Sequence, residues 1–220
     1  MQIVSDKTEF KLKGASAVAI GKFDGIHAGH YRLIDEILRQ KKNGLQAVIF
    51  TFFPSATVYF GGEEAKELTT REEKREIFER MGIDVLVEFP LNPETAATDP
   101  VDFVKNILLG MMNMKFLAAG EDVSFGKGGK GNRALLEEMA EQNDFTVKII
   151  EKIFNHGKEI SSTYVREEIL KGNMELVSEL LLRNYSIEGI VENGMHLGRK
   201  MGFPTVNLYP PKEKLLPPYG

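Results

Sequence analysis

Short apolar runs alternate with amphipathic stretches from the N-terminal region to Ile150. Ala17-Val18-Ala19-Ile20 is continuously apolar, the pattern of a short strand buried on both faces. A glycine-rich turn follows, and then residues 31–42 place Leu33, Ile34, Ile37 and Leu38 on one face at helical spacing. Asn43-Gly44 stops that helix. A second strand is predicted over 47–52, ended by Pro54. Thr70, with Glu73 three residues on, is a capping-box pair that opens a second helix. Further strands are predicted at 85–87, 116–119 and 145–150. Helices are predicted at 101–109, entered through Asp99-Pro100, and at 132–142. Strand alternating with helix in this way predicts an α/β fold, a Rossmann-like open parallel sheet with helices on both faces.

The pattern changes after about Glu159. Residues 161–171 and 174–182 read as two consecutive helices separated by Gly172-Asn173. Residues 185–192 then alternate apolar and polar, as a strand with one exposed face does. The remainder is rich in Gly and Pro. Two units are expected: 1–182, and 183–220 as the opening part of a second domain.

Composition narrows the function classes. Of the 220 residues, 42% are hydrophobic and 27% charged, an ordinary globular balance. There is no cysteine, so neither a disulfide nor a thiolate metal site is available. The formal net charge of -4 argues against general attraction to nucleic acid. No apolar run approaches the roughly 20 residues that cross a bilayer. Residues 1–13 are mixed polar and charged, unlike a secretory signal, and a cytoplasmic location is expected.

The candidate chemistry starts between the first predicted strand and helix, in Gly21-Lys22-Phe23-Asp24-Gly25-Ile26-His27-Ala28-Gly29-His30. Ligands of open parallel sheets bind at the carboxyl ends of strands. A helix N-terminus there offers free N–H groups and partial positive charge to phosphate. Gly29 lets backbone approach a ligand closely, and two imidazoles three residues apart can face one pocket. Taken alone, His-x-x-His is equally an accident of surface or core. As half of a metal site it is weak, because only His156 and His196 remain to complete one. No protein metal ligand set is expected.

These residues resemble the nucleotidylyltransferase superfamily, whose signature is His-x-Gly-His after the first strand. The longer string, with Phe23-Asp24-Gly25 before the histidines, is similar to its flavin branch, the bacterial FAD synthetases (bifunctional riboflavin kinase/FMN adenylyltransferases). Lys22 stands where that family has a small apolar residue and is read as solvent-facing. Three later segments resemble the family in the same order. Thr51-Phe52-Phe53-Pro54 matches a loop that continues His-Pro in the family, where this chain has Ser55 and Ala56. Gly120-Glu121-Asp122-Val123-Ser124-Phe125-Gly126 matches a glycine-bounded flavin loop, with Val123 in place of an aromatic. Ile160-Ser161-Ser162-Thr163-Tyr164-Val165-Arg166 matches a phosphate-gripping helix start. Aromatics such as Phe52, Phe53, Tyr59 and Phe60 serve equally as core packing or as a stacking surface for isoalloxazine.

The resemblance implies a nucleotidylyltransferase fold that transfers AMP from ATP to FMN, giving FAD and pyrophosphate, with Mg²⁺ entering with ATP. It implies His27, His30 and Arg166 as catalytic residues. ATP would be held by Gly21, Phe23, Asp24, Gly25, His27, Gly29, His30, Ser162, Thr163 and Arg166. FMN would be held by Phe52, Asp122 and Phe125. Gly194, Gly198-Arg199-Lys200 and Gly202-Phe203-Pro204-Thr205-Val206-Asn207 resemble the entrance of a β-barrel riboflavin kinase-like domain, with Val206 in place of Ala. There Thr205 and Asn207 would help hold Mg-ATP. With the sequence ending at Gly220, kinase activity on riboflavin is expected only if that domain is completed. Two other readings use the same residues: an adenylyl- or cytidylyltransferase with a different phosphorylated acceptor, and a flavin-binding protein without catalysis.

Overall fold

The computed structural model describes residues 1–61, 66–192, 202–203 and 205–219. Of the sequence motifs above, Gly194, Gly198, Arg199, Lys200 and Pro204 lie outside the described residues. The strands are β1 (Gln2–Ser5), β2 (Ser16–Ile20), β3 (Gln46–Phe53), β4 (Val85–Pro90), β5 (Met114–Gly120), β6 (Thr146–Ile150), β7 (Phe154–Asn155), β8 (Lys158–Glu159), β9 (Ile190–Glu192) and β10 (Asn207–Tyr209). The helices are α1 (Ala28–Arg39), α2 (Ala56–Gly61), α3 (Arg71–Arg80), α4 (Pro93–Ala96), α5 (Pro100–Asp102), α6 (Arg133–Gln142), α7 (Ser162–Lys171) and α8 (Met174–Leu181). Beyond α5 the chain continues as a π-helix over Phe103–Met111.

Six strands form one sheet in the order β1-β4-β3-β2-β5-β6. Every pairing in it is parallel. Alternate residues of β2 serve opposite faces. Val18 and Ile20 join a core with Phe103, Val104, Ile107, Leu136 and Met139, under the π-helix and α6. Ala17 and Ala19 join the other core with Leu33, Ile34, Ile37, Ile77 and Phe78, under α1 and α3. The expected open parallel sheet with helices on both faces is the observed fold. A third cluster, with Leu68, Val165, Ile169, Val177, Leu180 and Leu215, joins α7 and α8 to the rest.

The predicted ends hold where capping chemistry sets them. Thr70 Oγ1 accepts from the Glu73 N–H at 3.3 Å, and Glu73 Oε2 accepts from the Thr70 N–H at 2.9 Å. Gly44, at φ 78°, closes the turn that follows α1. Two expectations differ. The first helix starts at Ala28 rather than residue 31, because His27 is extended and begins the helix itself. The strand expected over 185–192 is confined to β9, since Tyr185 is drawn inward to donate from its hydroxyl to Leu215 O at 2.7 Å.

The 205–219 stretch folds back onto the main sheet's loops. Glu67 N–H donates to Glu213 O at 2.7 Å, and Leu215 N–H to Glu67 O at 2.9 Å. Between them Lys214 is buried, with Nζ 2.6 Å from Glu73 Oε2 and 2.8 Å from Leu68 O. Burial pushes its ammonium pKa down, against the opposing pull of Glu73. Breaking a buried pair by removing one partner leaves an uncompensated charge, which costs about 3–5 kcal/mol. Lys214→Ala is therefore expected to lower the unfolding free energy by about that amount in urea titrations, and a loss under about 1 kcal/mol would contradict this account.

Candidate functional site

The sheet order reverses between β2 and β5, so their carboxyl ends open a crevice. The 21–27 loop leaves β2 there, and the 121–132 loop leaves β5. The first loop is folded against its preferences. Phe23 and Ile26 have φ of 50° and 45°, and Gly25 has 81°. Ile26 is β-branched, so that conformation is a true outlier, and such residues cost of order 1–3 kcal/mol each. Glycine at position 25 is required twice over, since a Cβ there would also lie 2.8 Å from Leu68 Cδ1.

The strain is held by Asp24. Its Oδ1 accepts from the Leu68 N–H at 2.8 Å, and its Oδ2 from Arg166 Nη2 at 2.9 Å. Its carbonyl accepts from the Ser162 hydroxyl at 2.8 Å. Gly25 N–H donates to Thr69 Oγ1 at 3.1 Å. The carboxyl is only 4% exposed, and burial raises its pKa against Lys74, the Leu68 N–H and Arg166. Three distant pieces of chain thus meet on one aspartate: the loop itself, the 67–70 segment and the start of α7.

Above that anchor stand His27 and His30. Their rings stack with centroids 3.8 Å apart and planes at 30°. His27 N–H donates to His30 Nδ1 at 3.3 Å, and His27 Nδ1 is buried without a partner among the described residues. A Cβ on Gly29 would lie 3.1 Å from His27 Cε1 and Nδ1, so the glycine makes room for the ring. Phe23, wholly buried, supports His30 from below with ring centroids 5.1 Å apart. Burial, with Arg183 adding to it and Asp122 opposing, lowers the His27 pKa to about 4. Burial, then His27, Lys74 and Arg183, push His30 well below the usual imidazole range. Both rings are therefore neutral near pH 7. Because His30 Nδ1 accepts a hydrogen bond, its proton sits on Nε2, leaving a donor free.

The remaining predicted residues divide into those at the crevice and those in the core. Arg166 is about a quarter exposed, its side chain at 27%. Thr163 is exposed at the first turn of α7, while Ser161 caps that helix by accepting from the Tyr164 N–H at 3.2 Å. Asp122 is exposed on the opposite rim, 3.7 Å from Lys152 Nζ. Phe52 is half-buried, edge-on to Phe50 at 5.3 Å. Phe125 is 5% exposed and packs on Phe103 with ring centroids 5.4 Å apart, paired by backbone with Gly131. The Phe23 side chain likewise faces core. Neighbouring Phe53 lies under the Arg71 guanidinium, 3.7 Å from the ring centroid. Lys22 is exposed, as expected. Thr205 is exposed and Asn207 pairs with Glu192 across β9 and β10.

One residue at this site carries no motif. Leu182 turns left-handed at φ 56° to end α8, and this directs Arg183 back to the loop. Arg183 Nη2 donates to Gly25 O at 2.6 Å, and Nη1 to Ile26 O at 2.9 Å. Nothing in the local pattern around Arg183 marks it, because its partners in the loop are backbone carbonyls more than a hundred positions away.

The sequence pattern described as FAD synthetase matches residues 10–164, which hold five of the sheet's six strands, the histidine loop and the start of α7. This chain belongs to the FAD synthetase family. A riboflavin kinase pattern matches residues 181–220. The chain is 36% identical over 201 residues to the bifunctional riboflavin kinase/FMN adenylyltransferase of Buchnera aphidicola from Schizaphis graminum, covering 90% of this chain and 64% of that one. It is 34% identical over 209 residues to the Bacillus subtilis protein of the same name, covering 93% and 65%. The FAD synthetase-family chain thus spans less than two thirds of the length of these relatives. In structure it is similar to a Streptococcus pneumoniae crystal structure titled macrolide-efflux protein, with a TM-score of 0.83 and 26% identity, covering 98% of this chain and 70% of that one. Among the described residues no helix is long and apolar enough to cross a membrane.

The depressed imidazoles make stability depend on pH. Between about pH 6.5 and 4 the unfolded chain binds a proton at His27 that the folded chain refuses, so stability falls as pH falls through that window. The difference for His27 alone reaches about 3 kcal/mol. Proton NMR of the imidazoles is expected to show His27 titrating near pH 4, and a midpoint near 6.5 would refute the buried, neutral assignment.

Proposed function

We propose that this chain transfers AMP from ATP to FMN. A phosphate oxygen of FMN attacks the α-phosphorus of ATP. The bond from that phosphorus to the bridging oxygen breaks, and pyrophosphate leaves with the electron pair. The products are FAD and pyrophosphate. The observation that carries the reading is the stacked, neutral His27–His30 pair at the N-terminus of α1, set at the point where the sheet order reverses.

The chain's own groups supply binding and charge stabilisation rather than covalent chemistry. The Nε2–H of His30 donates to a phosphate oxygen, joined by the free N–H groups of the first turn of α1. Arg166, its guanidinium aimed by Asp24, holds the departing pyrophosphate with Thr163 and the backbone of α7's first turn. Ser162 serves through its bond to the Asp24 carbonyl, fixing α7 against the loop. Mg²⁺ enters with ATP as part of the substrate and bridges phosphate oxygens. Among the described residues no group of three or more His, Cys, Asp or Glu could hold a metal ion. Asp122, the exposed member of the flavin set, is assigned to the ribityl hydroxyls of FMN. Phe125 and Phe23 contribute by packing, and Phe52 offers only the part of its ring left outside the aromatic core. Thr205 and Asn207 are assigned to Mg-ATP in a completed kinase domain, with riboflavin as that domain's substrate.

Incubation with ATP, Mg²⁺ and either FMN or riboflavin tests the reading. FAD from FMN is expected. Flavin binding without pyrophosphate release would favour a non-catalytic flavin protein, and transfer to another phosphorylated acceptor would favour a different transferase. His30→Ala is expected to slow FAD formation by about 10²–10³. Gly29→Ala separates site from stability. Alanine favours a helix by roughly 0.5–1 kcal/mol over glycine, so Tm should hold or rise. The added methyl displaces the His27 ring, so FAD formation should fall about 10- to 100-fold. Unchanged turnover in Gly29→Ala would show that the ring's position does not matter.

A further inference from the structure

The geometry points to Arg183 as a positioning residue of the adenylyl-transfer centre: its guanidinium holds the Gly25 and Ile26 carbonyls and fixes a positive charge beside the His27–His30 pair. The inference rests on the function proposed above, and it adds a residue from outside the FAD synthetase match, which ends at residue 164. Arg183 lies instead in the stretch matched by the riboflavin kinase pattern.

Three observations carry it. First, the contacts are aimed at strain. Arg183 donates to Gly25 O at 2.6 Å, to Ile26 O at 2.9 Å and to Leu181 O at 3.2 Å. Gly25 and Ile26 are two of the loop's left-handed residues, and Ile26 immediately precedes His27. A planar fork that binds two successive carbonyls fixes the direction of the peptide planes in a way a single-point donor does not. Second, the arginine is itself held. It follows the left-handed Leu182 that ends α8, and Leu181 lies 3.6 Å from where a Gly25 Cβ would be. Burial pushes its guanidinium pKa down, Tyr31 of α1 and Glu73 of α3 pull it back up, and Arg80 adds weakly to the lowering. Third, its charge reaches both rings. Of the groups acting on the imidazoles, Arg183 acts on both; Lys74 of α3 acts on His30, and Asp122 from the 121–132 loop opposes on His27.

A centre built on neutral imidazoles must still attract a polyanion. The fixed cation of Arg183 does this without a proton, because a guanidinium stays charged. It also discourages protonation of the rings, so their lone pairs and N–H donors keep one arrangement across the neutral range. Arg183 is bound to backbone rather than to the rings, so it acts through the loop and through the field.

Arg183→Gln and Arg183→Lys separate these effects. Steady-state kinetics of FAD formation and NMR titration of the His27 and His30 rings are measured on both, beside the unaltered chain. In Arg183→Gln the imidazole midpoints should rise by at least about 0.5 pH unit, and kcat should fall at least about tenfold with a smaller change in KM for ATP. In Arg183→Lys the charge is kept and the fork is lost, so the midpoints should return to near those of the unaltered chain while kcat recovers only in part. Unmoved ring titrations in Arg183→Gln, or kcat within twofold of the unaltered chain, overturn the inference. If Arg183→Gln does not fold, Arg183→Lys decides: full kcat there overturns the role of the fork. Should the unaltered chain make no FAD, the proposed function fails, and the ring titrations still decide whether Arg183 sets the imidazoles.

Discussion

Asp24 is the constraint on which the rest of the site depends. One buried carboxyl receives Leu68 N–H and Arg166, and the same residue's carbonyl receives Ser162. A buried carboxylate is expensive unless its oxygens are satisfied. Here each satisfying partner lies on a different stretch of chain, so the cost of burying the charge is offset only when the 21–27 loop, the 67–70 segment and α7 have all docked. That arrangement sustains three left-handed residues in the loop and delivers His27 as the N-cap of α1. The histidines are the visible chemistry, and the aspartate decides where they stand.

The same clamp gives new meaning to the match between motif spacing and function. Asp24 and Arg166 belong to motifs 142 positions apart, and the structure joins them at 2.9 Å. Each was assigned to ATP from the sequence alone. In the structure Asp24 binds Arg166, whose side chain is 27% exposed. Gly25 and Gly29 separate in the same way. Gly25 answers a backbone conformation and a close leucine, whereas Gly29 answers the ring of His27.

Much of the fold was legible because burial on two faces writes itself as continuous apolar strands, as in 17–20 and 47–52, and because caps such as Thr70 with Glu73 are local. What escaped had no local signature. Gln2–Ser5 is an edge strand with two apolar residues, too short for a period to register. The family resemblance implied Phe125 as an FMN contact. It is core, because its backbone pairs with Gly131 and its ring occupies the space a side chain there would need. Arg183 was invisible because it acts on backbone carbonyls, which have no side-chain identity to match, and Lys214 because its partners, Glu73 and Leu68 O, lie more than a hundred positions away. Both come from the region expected to begin a second unit. Lys214 holds the 67–70 segment while Arg183 grips the 21–27 loop, so the stretch that matches the riboflavin kinase pattern is also part of the frame around the histidine loop.

The most direct test of this account is a crystal structure of the chain with Mg²⁺ and a non-hydrolysable ATP analogue. The account predicts the phosphates at the N-terminus of α1, within hydrogen-bond distance of His30 Nε2 and Arg166, with the Asp24 bonds to Leu68 and Arg166 unchanged. Phosphates bound elsewhere, or an Asp24 that releases Arg166 to reach them, would contradict it.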